Sequence, residues 1–221
     1  GGGAIYNNGV SIGNITGDFI GNYTFSDSYN DSLGGAVYTK ENMTFTSGAD
    51  THFMSGNYTK KNGRKNVYNV IYGSGTPIIT FDTTGGGAWV INDSVEDGSY
   101  VFKGDDIIDT ATGTTTQYVA MNNDIVNVKD VKVENTTLKF GAYQHKDQSA
   151  HNWDGKGAFV ASMYKDADAV TSLLLNNAVF DIANGYLETV KLKGYSATDS
   201  FLHIDVDPDN MTADELHIAG N

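Results

Sequence analysis

Residues 2–22 read GGAIYNNGVSIGNITGDFIGN, and residues 34–57 read GGAVYTKENMTFTSGADTHFMSGN. Each stretch opens on Gly-Gly-Ala-aliphatic-Tyr and closes on a phenylalanine followed by Gly-Asn. The unit GGAIY at Gly2, Gly3 to Tyr6 recurs as GGAVY at Gly34, Gly35 to Tyr38, and a looser GGAWV stands at Gly86, Gly87 to Val90. FIGN, from Phe19 to Asn22, returns as FMSGN from Phe53 to Asn57, longer by one inserted residue. A repeat of this length marks a unit that cannot bury its apolar face alone and does so by stacking on its neighbours.

Each residue type in the repeat has a physical role in such a stack. A glycine pair lets one backbone bend sharply and approach the next coil more closely than a Cβ would permit. The aliphatic residue that follows points inward, and Phe19 and Phe53 are expected to fill the interior and stack on their equivalents. Asn22 and Asn57 are expected at turns, where asparagine tolerates left-handed dihedrals and its amides can bond up and down a ladder.

Composition agrees with strands joined by many turns. The chain of 221 residues holds 26 Gly and only 2 Pro, with 19% charged and 39% hydrophobic residues. Short segments of period 2 recur: Val126, Val128, Val131, Val133, Leu138 and Phe140 in one run, Val190 and Leu192 in another, then Leu202, Ile204 and Val206, and finally Leu216 and Ile218. Turn signals such as Asn8-Gly9, Asn62-Gly63, Asn184-Gly185 and the cluster from Thr83 to Gly87 separate them. That spacing suits a sandwich or barrel as well, and the repeat is what favours a solenoid. Lys165 to Asn177 reads as a strand in a coil, with a helix as the alternative.

The net charge of −13 and the single arginine, Arg64, leave no basic stripe to follow phosphates, which argues against nucleic-acid binding. The chain has no cysteine and therefore no disulfide framework or thiolate chemistry. No run of about 18 apolar residues encodes a membrane span, and a start on three glycines reads as a mature product or an excised piece.

These motifs resemble a known family. GGAIY, GGAVY and FIGN are similar to the GGA-[ILV] and F-x-x-N tetrapeptide repeats of polymorphic outer-membrane proteins and related autotransporter passengers of Gram-negative bacteria. The terminal stretch, from NGYLETVKLKG through FLHIDVDPDNMTADELHIAGN, resembles the final coils of such passengers. The resemblance covers Gly2 to Asn57 and Asn184 to Asn221, and the middle of the chain matches only in style. It implies an all-β chain forming a right-handed parallel β-helix, exported and displayed on the cell surface as an adhesin or structural stalk. FMSGN departs from F-x-x-N, and GGAWV places Trp89 where the family has an aliphatic residue. The expected organisation is one elongated domain over 1–221: repeats over 1–95, irregular coils over 96–180 with a loop near 141–157, and terminal coils over 181–221.

Candidate chemical sites are weaker, and the leading expectation is a non-enzymatic chain. Asp205, Asp207 and Asp209 alternate as in a calcium loop, but the sixth and twelfth positions hold Asn210 and Leu216 instead of glycine and a bidentate acid, so a solvated turn is expected. Asp105, Asp106 and Asp109 form the best carboxylate cluster for acid and base chemistry on a polysaccharide, without an Arg or Lys set nearby. His145, Asp147, His151 and Asp154, with Trp153, read as a surface loop, since the histidine spacing fits no metal pair. His203 and His217 are expected to stack in an outward ladder. No serine lies in a nucleophile elbow. Asn-x-Ser/Thr sequences occur at Asn14, Asn22, Asn30, Asn42, Asn57, Asn92, Asn135 and Asn210; glycosylation is one reading and turn composition the favoured other. No cofactor or metal is expected. The partner would be a host or neighbouring-cell ligand, or further copies of the chain. A subunit of an extracellular fibre and, more remotely, a polysaccharide-cleaving enzyme are the alternative functions.

Overall fold

A computed structural model of the chain describes residues 2–26, 33–61, 67–106, 108–141, 159–160 and 171–219. The described residues are all-β, with no helix, and the strands lie in stacked parallel sheets, the arrangement of a parallel solenoid. One sheet runs through Ile5–Asn7, Val37–Thr39, Val67–Gly73, Ser94–Glu96, Ile125–Val126 and Phe159–Val160. A second takes Ile12–Ile15, Met43–Thr46, Ile78–Asp82, Ser99–Lys103, Asp130–Glu134, Ser172–Asn176 and Gly194–Thr198. The third takes Phe19–Ile20, Thr51–Ser55, Ala88–Ile91, Tyr118–Met121, Thr137–Phe140, Val179–Asp181 and Phe201–His203. The chain visits the three in rotation, so each strand pairs with strands one coil before and after it. Antiparallel pairing occurs where Tyr58–Lys61 meets Val67–Gly73 and in the hairpin of Val206–Asp207 with Thr212–Ala213.

The Gly-Gly-Ala repeat is a strand register. Ile5 pairs with Val37 and Tyr6 with Tyr38, and the ladder continues to Ile71 and Tyr72. A Cβ on Gly35 would lie 2.3 Å from the Tyr58 nitrogen and 2.6 Å from the Asn69 oxygen, and one on Gly2 would lie 1.9 Å from the Ile5 oxygen. These are backbone atoms that cannot swing away. GGAWV is not a third copy in the same column: Ala88 to Ile91 belong to the third sheet, where a Cβ on Gly87 would meet the Asp50 oxygen at 2.3 Å, and Gly86 serves a left-handed turn at φ +97.

One buried cluster runs from Phe19 to Leu192. Its centre is a column of rings: Phe45 stacks on Phe81 at 5.2 Å, Phe81 stacks on Phe102 at 5.8 Å, and Trp89 meets Phe45 and Phe81 edge-on. Each fully buried ring contributes about 2–3 kcal/mol over an exposed one. Val126, Val128, Val131, Val133, Leu138 and Phe140 are all buried, although Asn127 and Asn135, in the left-handed region, turn the chain from one sheet to the next between them.

Several expectations are corrected. Phe53 is 41% exposed, because the register pairs Phe19 with Met54 and the alternation then turns Phe53 outward; Met54 fills the interior instead. The residue inserted in FMSGN is thus absorbed before the Gly-Asn pair. At those pairs Gly21 and Gly56 take the positive φ, not Asn22 or Asn57. Leu202, Ile204, Val206 and Ile218 are exposed, since no further coil among the described residues covers them. His203 and His217 sit in different sheets, beside Asp181 and Lys191 respectively, so they form no ladder. Ser172–Asn176 is a strand; residues 165–170 lie outside the described residues. Coil length varies widely: Met121 pairs with Phe140 and Val131 with Leu173, so the second of these coils is more than twice as long as the first.

The close approach at the repeat predicts that Gly35→Ala destabilises the fold by about 3 kcal/mol through forced backbone displacement. Gly9→Ala, where a Cβ would meet nothing within 4 Å, should change stability by no more than about 0.5 kcal/mol. Urea unfolding of the two variants beside the parent checks the contrast.

Candidate functional site

At the corner between the third and first sheets a polar ladder runs through the interior. The Asn22 backbone N–H and side-chain amide both donate to Asn57 Oδ1, at 3.1 and 2.9 Å. The Asn57 amide donates back to the Phe19 carbonyl at 2.7 Å and forward to Asp93 Oδ2 at 2.7 Å. Asp93 also accepts the N–H groups of Gly56 and Asn57, at 2.9 and 2.8 Å. Asn57 and Asp93 are fully buried. A carboxylate out of water is tolerable only with its lone pairs met by donors of this kind. Asn123, buried one coil further on, donates to the Asn92 carbonyl at 3.1 Å.

Burial of Asn57 and full use of its amide correct its reading as a glycosylation acceptor. Asn22 is half-buried and bonded into the same ladder. Asn14, left-handed at φ 58, and Asn42, whose side-chain oxygen accepts the Ile78 N–H at 2.8 Å, are exposed. Asn30 lies outside the described residues.

The carboxylate clusters resolve into turn contacts. Asp105 accepts from the Gln117 amide; Asp106 accepts the Thr116 N–H and hydroxyl at 2.6 and 2.8 Å; Asp109 accepts the Ala111 N–H at 2.9 Å. The Ala111 N–H and the Thr112 hydroxyl hold the Asp109 carboxyl below its usual range, the wrong direction for a general acid. Asp205 accepts the Gly185 N–H at 2.6 Å, while Asp207 takes the N–H groups of Asp209 and Asn210, both at 3.1 Å, and the Asn210 amide at 2.7 Å. Asp209 follows in the same hairpin tip. Among the described residues no three His, Asp or Glu side chains converge as a metal site. The set of His145, Asp147, His151, Trp153 and Asp154 lies outside the described residues.

Two surfaces escape a reading based on motifs. Tyr6, Tyr38 and Tyr72 stack face to face on the outside, with centroids 5.1 and 6.0 Å apart, and Tyr23 stacks on Tyr58 at 5.4 Å. Tyr6, Tyr23 and the nearby Phe25 are each more than half exposed. The same repeat that relates Ile5 to Val37 already placed Tyr6 beside Tyr38. On the outer face of the second sheet, a groove of about 520 Å³ passes over Ser99, Ser172 and Gly194, flanked by Ile78 and Leu174. Along it the register sets Ser99, Asp130, Ser172 and Gly194 one above another, an alignment that only the strand pairing reveals. No helix among the described residues is long and apolar enough to cross a membrane.

Comparison with protein-family models, with curated proteins and with solved structures finds no match.

Removing the Asn57 amide should cost more than an ordinary polar truncation, because the Asp93 carboxylate stays buried with fewer donors: Asn57→Ala is expected to lower stability by about 3 kcal/mol, read by urea unfolding. The acid and alkaline limits also follow. Burial alone would raise Asp82, but Lys103 at 2.8 Å and the Thr84 N–H outweigh it and hold the carboxyl below its usual value; the Asn210 side chain and N–H do the same for Asp207. Depressed carboxyls stabilise the fold above the ordinary carboxylate range, and that stability is lost as pH falls through their folded values. Burial pushes the phenols of Tyr72, Tyr100 and Tyr195 upward, and the Asp97 carboxylate adds to this at Tyr72 and Tyr100. Their stability is present below the ordinary phenol value and lost above it. The urea midpoint should therefore fall below about pH 4 and again above about pH 10, and Asp82→Asn with Asp207→Asn should flatten the acid limb.

Proposed function

We propose that this chain is part of a right-handed parallel β-helix displayed on the surface of a Gram-negative cell as an autotransporter-type passenger, acting without catalysis as an adhesin or structural stalk. The observation that carries this reading is the in-register stacking of GGAIY on GGAVY, with Ile5 over Val37 and Tyr6 over Tyr38, the repeat that resembles those passengers. The tyrosine ridge and the groove over Ser99, Ser172 and Gly194 supply exposed aromatic and apolar contact surface on an acidic rod. Such a surface suits an extended ligand that stacks on the rings and covers apolar side chains over several coils, on a host or neighbouring cell.

A second reading, a subunit of a self-assembling extracellular fibre, is favoured by the first coil. Ile5–Asn7, Ile12–Ile15 and Phe19–Ile20 are terminal in their sheets among the described strands, with Val10 and Ile20 each more than 60% exposed beside them. Parallel edges of this kind accept further strands, from the same polypeptide or from another copy.

Fractionation of cells expressing the native gene separates the two. The passenger reading expects peptides of this chain in the outer-membrane fraction, on the same polypeptide as an amphipathic barrel, and cleavable by protease added to intact cells. Recovery only as released high-molecular-weight assemblies without a barrel would replace it by the fibre reading, and protection from protease inside intact cells would overturn both.

A further inference from the structure

The rotation of coils brings together three side chains from two coils. Thr16 and Asp18 flank Gly17 just before the strand Phe19–Ile20, and His52 lies in the next strand of the same sheet, Thr51–Ser55. Because Phe19 pairs with Met54, Gly17 stands level with His52. Thr16 Oγ1 lies 3.0 Å from His52 Nε2, and Asp18 Oδ1 lies 3.4 Å from His52 Nδ1. The same Asp18 oxygen accepts the Phe53 N–H at 2.9 Å, which fixes the carboxylate. Trp89 backs the ring with centroids 5.1 Å apart, and the His52 side chain is only 15% exposed, whereas Thr16 faces solvent.

With the imidazole proton on Nδ1, toward the carboxylate, the Nε2 lone pair faces the hydroxyl and can take its proton. A hydroxyl held this way is an activated nucleophile. Gly17, at φ +105 with nothing within 4 Å of a Cβ position, leaves the backbone beside the hydroxyl open to a substrate.

We propose that Thr16 is an acyl-accepting hydroxyl, with His52 as its general base and Asp18 as a positioning residue, reactive toward small esters with a good leaving group. The Thr16 oxygen bonds to the ester carbonyl carbon, and its proton passes to His52 Nε2. The bond from that carbon to the leaving oxygen then breaks, and His52 returns the proton to the alcohol released. The products are one acyl-Thr16 ester and one alcohol, with no change of oxidation state. This site is independent of the surface-display reading.

The test incubates the intact chain with p-nitrophenyl acetate, follows p-nitrophenolate release, and locates the acetyl group by peptide mass analysis. The expected result is an acetyl group on Thr16, retained in Thr16→Ser and absent in Thr16→Val. His52→Gln should slow Thr16 acetylation on the order of 100-fold. Asp18→Asn should slow it as well and Asp18→Glu should restore it, a rescue that a purely structural role for Asp18 would not produce. Acetyl groups confined to lysines or tyrosines of the parent chain, or Thr16 acetylated equally fast in His52→Gln, would overturn the proposal. The site assignment on the parent chain decides even if a variant unfolds.

Discussion

Parallel strands bonded coil to coil hold every residue about 4.8 Å from its counterpart in the next coil, as Ile5, Val37 and Ile71 illustrate. At that distance each side chain meets residues chosen for the same column, so the chemistry of a column must be compatible with itself. Flat rings satisfy the condition by stacking, which they do inside at Phe45, Phe81 and Phe102 and outside at Tyr6, Tyr38 and Tyr72. Where one backbone must cross directly over another, no side chain fits, and Gly35 is the result. Charge is the hardest case, since the chain carries a net −13 and like charges in one column repel. In the second sheet the answer is alternation: Asp82 pairs with Lys103 and Lys103 with Glu134.

Corners obey the same spacing by a different device. Asp97 and Asn127, then Asn135, Asn177 and Asp199, all sit in the left-handed region. Asparagine and aspartate tolerate that conformation best among residues with a side chain, and stacked copies bond to one another, as Asn177 does to Asn135 at 2.8 Å. The third corner turns on Gly21 and Gly56, which frees Asn22 and Asn57 to point inward. There the ladder ends on the buried Asp93, whose charge adds strength to each donor it accepts. One polar residue type thus serves two purposes, backbone conformation at two corners and interior bonding at the third.

The solenoid arrangement was legible because GGAIY and GGAVY spell the same column twice, and period 2 marked the buried valines from Val126 to Val133. Phe53 was misleading for a definite reason. In a strand the face of a residue depends on counting from a fixed point, and the fixed point was the Gly-Asn pair downstream, so one inserted residue reversed its direction. GGAWV misled in the opposite way, since identical letters served a different column when Gly87 had to pass Asp50 instead of a residue of the first sheet. Ladders such as Asn57 to Asp93, and the column of Ser99, Asp130, Ser172 and Gly194, depend on which coils become neighbours. The coil from Val131 to Leu173 is more than twice the length of the one from Met121 to Phe140, and no local pattern announces the difference.

Stacking of like on like also explains where distinctive chemistry can arise. A residue inside a uniform column is surrounded by its equivalents and is consumed by packing or laddering, as the carboxylates of Asp105, Asp106 and Asp207 are consumed by their turns. A new environment needs a position where one coil departs from the next. Gly17 is such a departure: it stands level with His52 and Trp89, yet contributes no side chain to the column. At that departure the imidazole sits at the edge of the aromatic interior, backed by Trp89 on one side and reached by Thr16 and Asp18 from the other. A Cβ at Gly17 would meet nothing within 4 Å, so it is the break in like-on-like stacking, with Thr16 and Asp18 carried on either side of it, that makes a polar constellation possible there.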